Sequence, residues 1–196
     1  MKILFVSSEC APFSKSGGLA DVAFSLPPAL QKTGDDIAIV TPMYRVTQEN
    51  YGDEFERIKT CQIALGQRRL ACSLYRGALN GVTVYAIGNE HLFHRPRLYG
   101  YGDDSLRFAF FCRAVIDLLP EFGDLPDILH CNDWETALAI LYLKNDAVLR
   151  PELSHIKTVY TIHNIAYQGQ FGRSEMEATF ALPDGWYHGG LSYEFE

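Results

Sequence analysis

The sequence predicts an α/β fold: a parallel sheet with helices on both faces, carrying an antiparallel β-meander. Three observations predict it. Short and almost continuously apolar runs, the first being Ile3-Leu4-Phe5-Val6, have the texture of parallel strands covered on both sides. Stretches with apolar residues at helical spacing follow them, as at Leu19, Val22, Ala23, Leu26 and Leu30. Between about residues 56 and 88 the texture changes to three strand-like runs joined by short turns, one of them Asn80-Gly81, the strongest hairpin signal in the chain.

Taken in order, Lys2 to Ser7 is the first strand and Glu9 to Ser16 a loop. A helix is expected to run to about Leu30, with Pro27 and Pro28 breaking or kinking it, and Gly34 ends the unit. Ile37 to Val40 is a second buried strand, so this part is a βαβ unit. Residues 43–54, polar and turn-rich, are expected as a surface loop. Ile58 to Leu65, Arg69 to Arg76 and Val82 to Ile87 make the meander. His91 to Tyr101 reads as a loop with aromatic and basic residues, Arg95 and Arg97 being solvated charges. Asp103 or Asp104 is placed to cap a helix from Ser105 to Leu119, which Pro120 ends. Asp127 to His130 is a short strand, Trp134 to Leu143 a helix, Lys157 to Ile162 a fourth, buried strand, and Ser174 to Leu182 a short helix. Nothing in Gly189 to Glu196 signals a stop, which reads as a chain that continues.

Composition sets bounds on function. With 196 residues the chain is long enough for one sizeable core and short for two full domains. A net charge of −7, without any Lys/Arg cluster, argues against a nucleic-acid or acidic-membrane partner. No apolar run approaches the ~18 residues of a membrane span, and the first strand starts too early to leave room for a signal or transit peptide. The five cysteines are scattered, without C-x-x-C spacing, and read as buried thiols of a reducing cytoplasm; Cys61 and Cys72 could face each other in a hairpin.

In open parallel sheets ligands bind beyond the carboxyl ends of the strands. Three polar groups fall there: Lys15, Gly17, Gly18 and Asp21 after the first strand; His130, Asn132 and Asp133 after the third; His163, Asn164, Tyr167 and Gln168 after the fourth. Paired glycines at a helix start, next to a lysine, suit an anion such as phosphate. Carboxylates, amides and aromatic rings suit a sugar, with Asp133 and His163 as acid–base candidates. Blander readings stand beside these. The glycines can serve tight helix–strand packing, Asp133 can simply cap the next helix, Trp134 can be core, and His130 a satisfied histidine at the core's edge. His91 and His94 have no third ligand near them, so no metal site is expected. The glycines match neither Gly-x-Gly-x-x-Gly nor a P-loop, which argues against a nicotinamide-dependent oxidoreductase.

Lys15-Ser16-Gly17-Gly18-Leu19-Ala20-Asp21-Val22, His130-Cys131-Asn132-Asp133-Trp134 and Thr161-Ile162-His163-Asn164-Ile165-Ala166-Tyr167-Gln168-Gly169 resemble, in that order, signature segments of bacterial glycogen synthases and plant starch synthases. Arg107-Phe108 and His91-Leu92-Phe93 match too. The resemblance implies one half, the N-terminal Rossmann-like domain, of a two-domain GT-B-type glycosyltransferase, with the C-terminal nucleotide-binding domain absent from these 196 residues. It implies transfer of glucose from ADP-glucose to the non-reducing 4-OH of an α-1,4-glucan, with retention and without a metal or other cofactor. Gly17, Gly18 and Lys15 are then expected near the diphosphate, and Asp21, Asp133 and His163 on the sugar and acceptor side, with Asn164, Tyr167 and Gln168 as further substrate contacts. His163 is expected to support the transferred glucose rather than attack it. Phe24, Pro28 and a short loop from Arg95 to Asp103 depart from the family pattern. A half domain that holds glucan without chemistry is the alternative.

Overall fold

A computed structural model describes residues 1–186; the segment from Gly189 to Glu196, read above as a chain that continues, lies outside the described residues. One seven-stranded sheet organises the chain, with β1 (Lys2–Val6), β2 (Asp36–Pro42), β3 (Glu56–Leu65), β4 (Arg68–Leu79), β5 (Val82–Gly88), β6 (Ile128–Asn132) and β7 (Lys157–Thr161). The strand order is β3-β4-β5-β2-β1-β6-β7. β5, β2, β1, β6 and β7 run parallel, while β4 is antiparallel to both its neighbours. The expected meander is present, and β5 joins it to the parallel sheet by pairing with β2. At its turn Asn80 and Gly81 both have positive φ, 50° and 86°, as a type I′ hairpin requires.

Side-chain alternation along each strand splits the core in two. Ile3, Phe5, Ile37, Ile39, Val82 and Val84 face α1 (Gly18–Lys32), which lays Val22, Ala23, Leu26 and Leu30 against them. Leu4, Val6, Val40, Tyr85 and Ile87 face the other side, where α4 (Asp104–Asp117) and α5 (Trp134–Asp146) pack. The chain leaves β1 towards β2 and later returns to β1's other edge as β6. That reversal puts a topological switch point between the carboxyl ends of β1 and β6, where ligands bind in such sheets.

Several expectations are corrected. Helix α1 runs unbroken through Pro27 and Pro28. Only four helical residues follow them, and Phe24, whose carbonyl loses its donor to Pro28, lies on the exposed face where water can replace it. Within the expected loop 43–54, Arg45–Tyr51 is a helix, α2. Tyr44 and Thr47 are buried, and the Thr47 hydroxyl donates to the Phe13 carbonyl at 3.1 Å. Tyr51 meets Phe13 edge to face at 5.4 Å, so residues 44, 47 and 51 form a helical stripe hidden in polar surroundings. A one-turn helix, α3 (Glu90–Phe93), opens the expected loop at His91, with Asn89 capping it through Leu92 N. Neither Asp103 nor Asp104 caps α4 by its side chain. Asp103 instead makes a two-pronged ion pair with Arg95 at 2.6 and 2.7 Å, so Arg95 is not a free solvated charge. That pair holds the Asp103 carboxyl below its ordinary value and the Arg95 guanidinium above it. Among the described residues β7 is not buried: it borders the sheet, with Val159 41% and Tyr160 42% exposed. Cys61 and Cys72 are register partners on β3 and β4, and both are free thiols. A last helix, α6 (Arg173–Phe180), packs near α4.

Candidate active site

At the carboxyl ends of β1 and β6 the structure has a cleft of about 810 Å³. One wall comes from the loop after β1 and the start of α1. The floor comes from the β6–α5 junction, and the opposite wall from the chain after β7. Six of the residues expected from the sequence line it: Gly17, Gly18, Asp133, His163, Asn164 and Tyr167. Lys15, Asp21 and Gln168 stand outside the lining. Lys15 and Asp21 form an exposed ion pair of 2.6 Å, and Gln168 donates to the Ile165 carbonyl at 3.0 Å.

The glycine loop is held from inside the protein. The buried carboxylate of Glu9 accepts from Ser16 N at 2.5 Å, Ser16 Oγ at 2.7 Å, Gly17 N at 3.1 Å and the Tyr99 hydroxyl at 2.9 Å. Gly17 is the N-cap of α1 and has no side chain to satisfy the first amides. Glu9 instead fixes the loop ahead of the helix: its bonds go to the Ser16 and Gly17 amides, which precede the first helical turn. No spacing signal marked Glu9, because its partners sit seven or more residues away.

The floor turns on Asp133. Its backbone has φ +57° and ψ 175°, close to a region occupied essentially by glycine, at a cost of about 1–3 kcal/mol. The side chain does not cap α5. It reaches across to the neighbouring chain, where Oδ1 accepts from His163 N at 2.7 Å and Asn164 N at 3.3 Å. The Asp133 amide in turn donates to the Thr161 carbonyl at 2.9 Å. The strained residue therefore staples the end of β7 to the end of β6.

Beside it, Asn132 orients the His163 ring. Asn132 Nδ2 donates to the Val6 and His130 carbonyls, at 3.0 and 3.3 Å, so its Oδ1 is left to accept from His163 Nε2 at 2.9 Å. His163 Nδ1 is then the nitrogen available to a ligand. His130 is satisfied at the core's edge by Thr161 Oγ1 at 2.8 Å, and burial lowers its pKa. Trp134 packs edge-on against Phe108 at 5.2 Å, as expected of a core residue, and also lines the cleft. Gly169 has φ +63°, and a Cβ there would come within 2.5 Å of the Trp134 ring, so only glycine lets the loop after β7 close over it.

Sequence reasoning also missed the acidic back of the cleft. Arg107 on α4 is 0% exposed; it donates to Asp104 Oδ1 at 2.5 Å and to the Leu92 carbonyl at 2.6 Å. Asp104 accepts from Gly100 N and Tyr101 N as well, which shapes the loop carrying Tyr99. Glu135, next to Trp134, is 7% exposed. Burial above all, aided by Asp133, Glu9 and Asp104, pushes its carboxyl up to about 8. Glu135 Oε2, Tyr44 Oη and Arg107 Nη2 have no hydrogen-bond partner among the described residues. No group of three His, Cys, Asp or Glu side chains among the described residues is placed to hold a metal ion.

A family model described as "Starch synthase catalytic domain" matches residues 2–195. The chain belongs to the starch synthase catalytic domain family. Among the relatives of this starch synthase domain is a glycogen synthase of Clostridium novyi, 43% identical over 174 residues, which are 88% of this chain and 36% of that protein. A glycogen synthase of Geobacillus thermodenitrificans is 43% identical over 189 residues, 95% of this chain and 38% of that one. The chain thus spans a little over a third of the length of the curated relatives it matches. Among solved structures, the catalytic domain of Starch Synthase IV from Arabidopsis thaliana, bound to ADP and acarbose, superposes with a TM-score of 0.81 at 30% identity. That match covers 94% of this chain and 38% of the other. The resemblance read from the three sequence motifs therefore holds, and the motifs meet in one cleft. No helix among the described residues is long and apolar enough to cross a membrane.

Proposed function

We propose that this chain is the N-terminal half of a retaining glucosyltransferase, a glycogen or starch synthase, that transfers glucose from ADP-glucose to the non-reducing 4-OH of an α-1,4-glucan. The observation that carries the reading is the convergence of Gly17-Gly18, Asp133-Trp134 and His163-Asn164-Tyr167 on one cleft at the switch point of a starch synthase domain. A second, C-terminal domain, for which the relatives have ample length, faces this cleft and supplies most of the nucleotide contacts. The 196 residues alone are therefore inactive.

The cleft's chemistry suits the sugar side of that reaction. Glu9, Asp104 and Asp133 make its wall acidic, which favours neutral hydroxyls and a positively charged, oxocarbenium-like transition state over phosphate. The Gly17 amide is taken by Glu9, so the diphosphate is held by the amides that open α1 at Gly18 and by Lys15, which exchanges Asp21 for phosphate. Asp133 sets the loop after β7 through its two amide contacts, and His163 Nδ1 accepts from a hydroxyl of the transferred glucose. Asn164, Tyr167 and Gln168 extend the surface towards the glucan acceptor, Tyr167 being 70% exposed. The same exposed tyrosine favours the alternative, a domain that holds glucan without chemistry. A cytoplasmic setting accompanies the synthase reading and is supported by the five free thiols.

The test is transfer of labelled glucose to a maltooligosaccharide by the full-length protein, offered ADP-glucose and UDP-glucose separately. Chain elongation from ADP-glucose is expected. Glucan binding without elongation from either donor would replace this reading with the alternative.

A further inference from the structure

Of the five thiols, Cys10, Cys72, Cys112 and Cys131 are buried, and Cys61 is the one that solvent reaches. Cys61 on β3 stands directly opposite Cys72 on β4 in the antiparallel register. Opposed residues point to the same face of a sheet, here the face packed on α4, where Cys72 belongs to the core and Cys61 to its margin. The thiols are close enough to perturb each other: burial first, and then the Cys61 sulfur beside it, pushes the Cys72 thiol up. Opposed residues of an antiparallel pair have Cα atoms about 4.5–5.5 Å apart, and a disulfide accepts about 4.4–6.8 Å. β3 also has room to draw in. Among the described residues it pairs with β4 alone, and its register slips between Arg57 and Lys59. On its far side it is tied to the body by the exposed Lys59–Glu121 ion pair, a kind of contact that contributes little stability.

We propose that Cys61 and Cys72 form a reversible disulfide when the surrounding thiol pool is oxidised, a redox-responsive staple that fixes β3 to β4. The inference is independent of the synthase reading. Its co-reactant is a small-molecule disulfide, for which oxidised glutathione is the probe. The Cys61 thiolate attacks one sulfur of that molecule, the S–S bond breaks, and one small thiolate leaves. The Cys72 sulfur then attacks Cys61 Sγ. The bond between Cys61 and the small molecule breaks, the Cys61–Cys72 bond forms, and the second small thiolate leaves with the Cys72 proton. Two protein thiols are oxidised and one small disulfide is reduced to two thiols. Accessibility fixes the order, because the reagent reaches Cys61 while Cys72 is 2% exposed and meets only its neighbour. Disulfides that form in a reducing cytoplasm are usually of this transient, sensing kind. The cross-link removes the freedom with which β3 leaves β4, so it acts on the opening of the meander.

The experiment treats the full-length protein, wild type, C61S and C72S, with oxidised glutathione. Remaining thiols are alkylated, peptides are identified by mass spectrometry, and amide exchange of β3 is followed before and after oxidation. Wild type is expected to yield a peptide pair joined through Cys61 and Cys72, with β3 amides exchanging at least about tenfold more slowly and dithiothreitol restoring the original rate. C72S should stop at a glutathione adduct on Cys61, and C61S should keep an unmodified Cys72, neither with slowed exchange. A wild-type protein that stops at the Cys61 adduct, or in which both thiols stay open to alkylation after denaturation, overturns the inference. A joined peptide pair without slower β3 exchange overturns the staple. Slowed exchange in C72S as well would assign the effect to the adduct and overturn it too.

Discussion

On the wall built after β1, Glu9 gathers Ser16, Gly17 and Tyr99 into one buried network. On the wall built after β7, a single oxygen of Asp133 holds two amides, and the chain beyond runs exposed through Ile165 and Tyr167. The first wall is finished before any ligand arrives. The second depends on one staple. A starch synthase domain of this design keeps a rigid side and an adaptable side, and a change of similar chemistry should read out as lost stability on one and lost turnover on the other.

The largest effect should fall behind the first wall. Arg107→Ala leaves Asp104 buried without its cation, and unfolding in urea should show a loss of about 3–5 kcal/mol. A loss below about 1 kcal/mol would mean that the pair does not organise that wall. Next, Asp133→Ala or His163→Ala in the full-length protein should cut kcat on the order of 10²–10³-fold, with Tm lowered for Asp133→Ala, which releases the two amides, and less for His163→Ala. Near-wild-type turnover would remove both residues from the reaction. Glu9→Ala should cost about 1–3 kcal/mol, because it strands the Ser16 and Gly17 amides, with the smaller part of its effect in kcat.

A pH effect separates the floor from both walls. The Glu135 carboxyl titrates at about 8 in the folded protein against 4.5 in an unfolded chain, so the folded state holds the proton more tightly. Stability from this group is complete below the unfolded value and falls as pH rises through the folded one. Tm of wild type relative to E135Q should therefore drop between about pH 5 and about pH 8; a constant difference would refute the burial argument. The smallest effect belongs to the exposed Lys15–Asp21 pair, where Lys15→Ala should change stability by less than about 1 kcal/mol. A raised KM for ADP-glucose in that variant, without a stability change, would place Lys15 at the diphosphate.

What the sequence made legible follows from periodicity and local chemistry. The apolar runs of β1, β2 and β6 and the stripe of α1 give the sheet, and Asn80-Gly81 gives the meander's turn, because each signal lies within a few adjacent residues. The three motif segments give ten of the cleft's lining residues, six of them expected as site residues, since strand ends in a parallel sheet must share one rim. Long-range pairing stayed hidden. Glu9 meets Tyr99 across 90 positions, and Asp133 meets His163 across 30, so the sequence offers a cap for α5 where the structure has a cross-strand staple. Helix α2 was masked by polar residues on its outer face.

The asymmetry of the two walls is tested most directly by amide hydrogen exchange of the full-length protein, free and with ADP-glucose plus a maltooligosaccharide. The account predicts that Ser16 and Gly17 are protected in both states, while His163, Asn164 and the amides that follow to Gln168 gain protection only with ligand. Equal protection of both walls in the free protein, or ligand protection confined to Ser16 and Gly17, would contradict it.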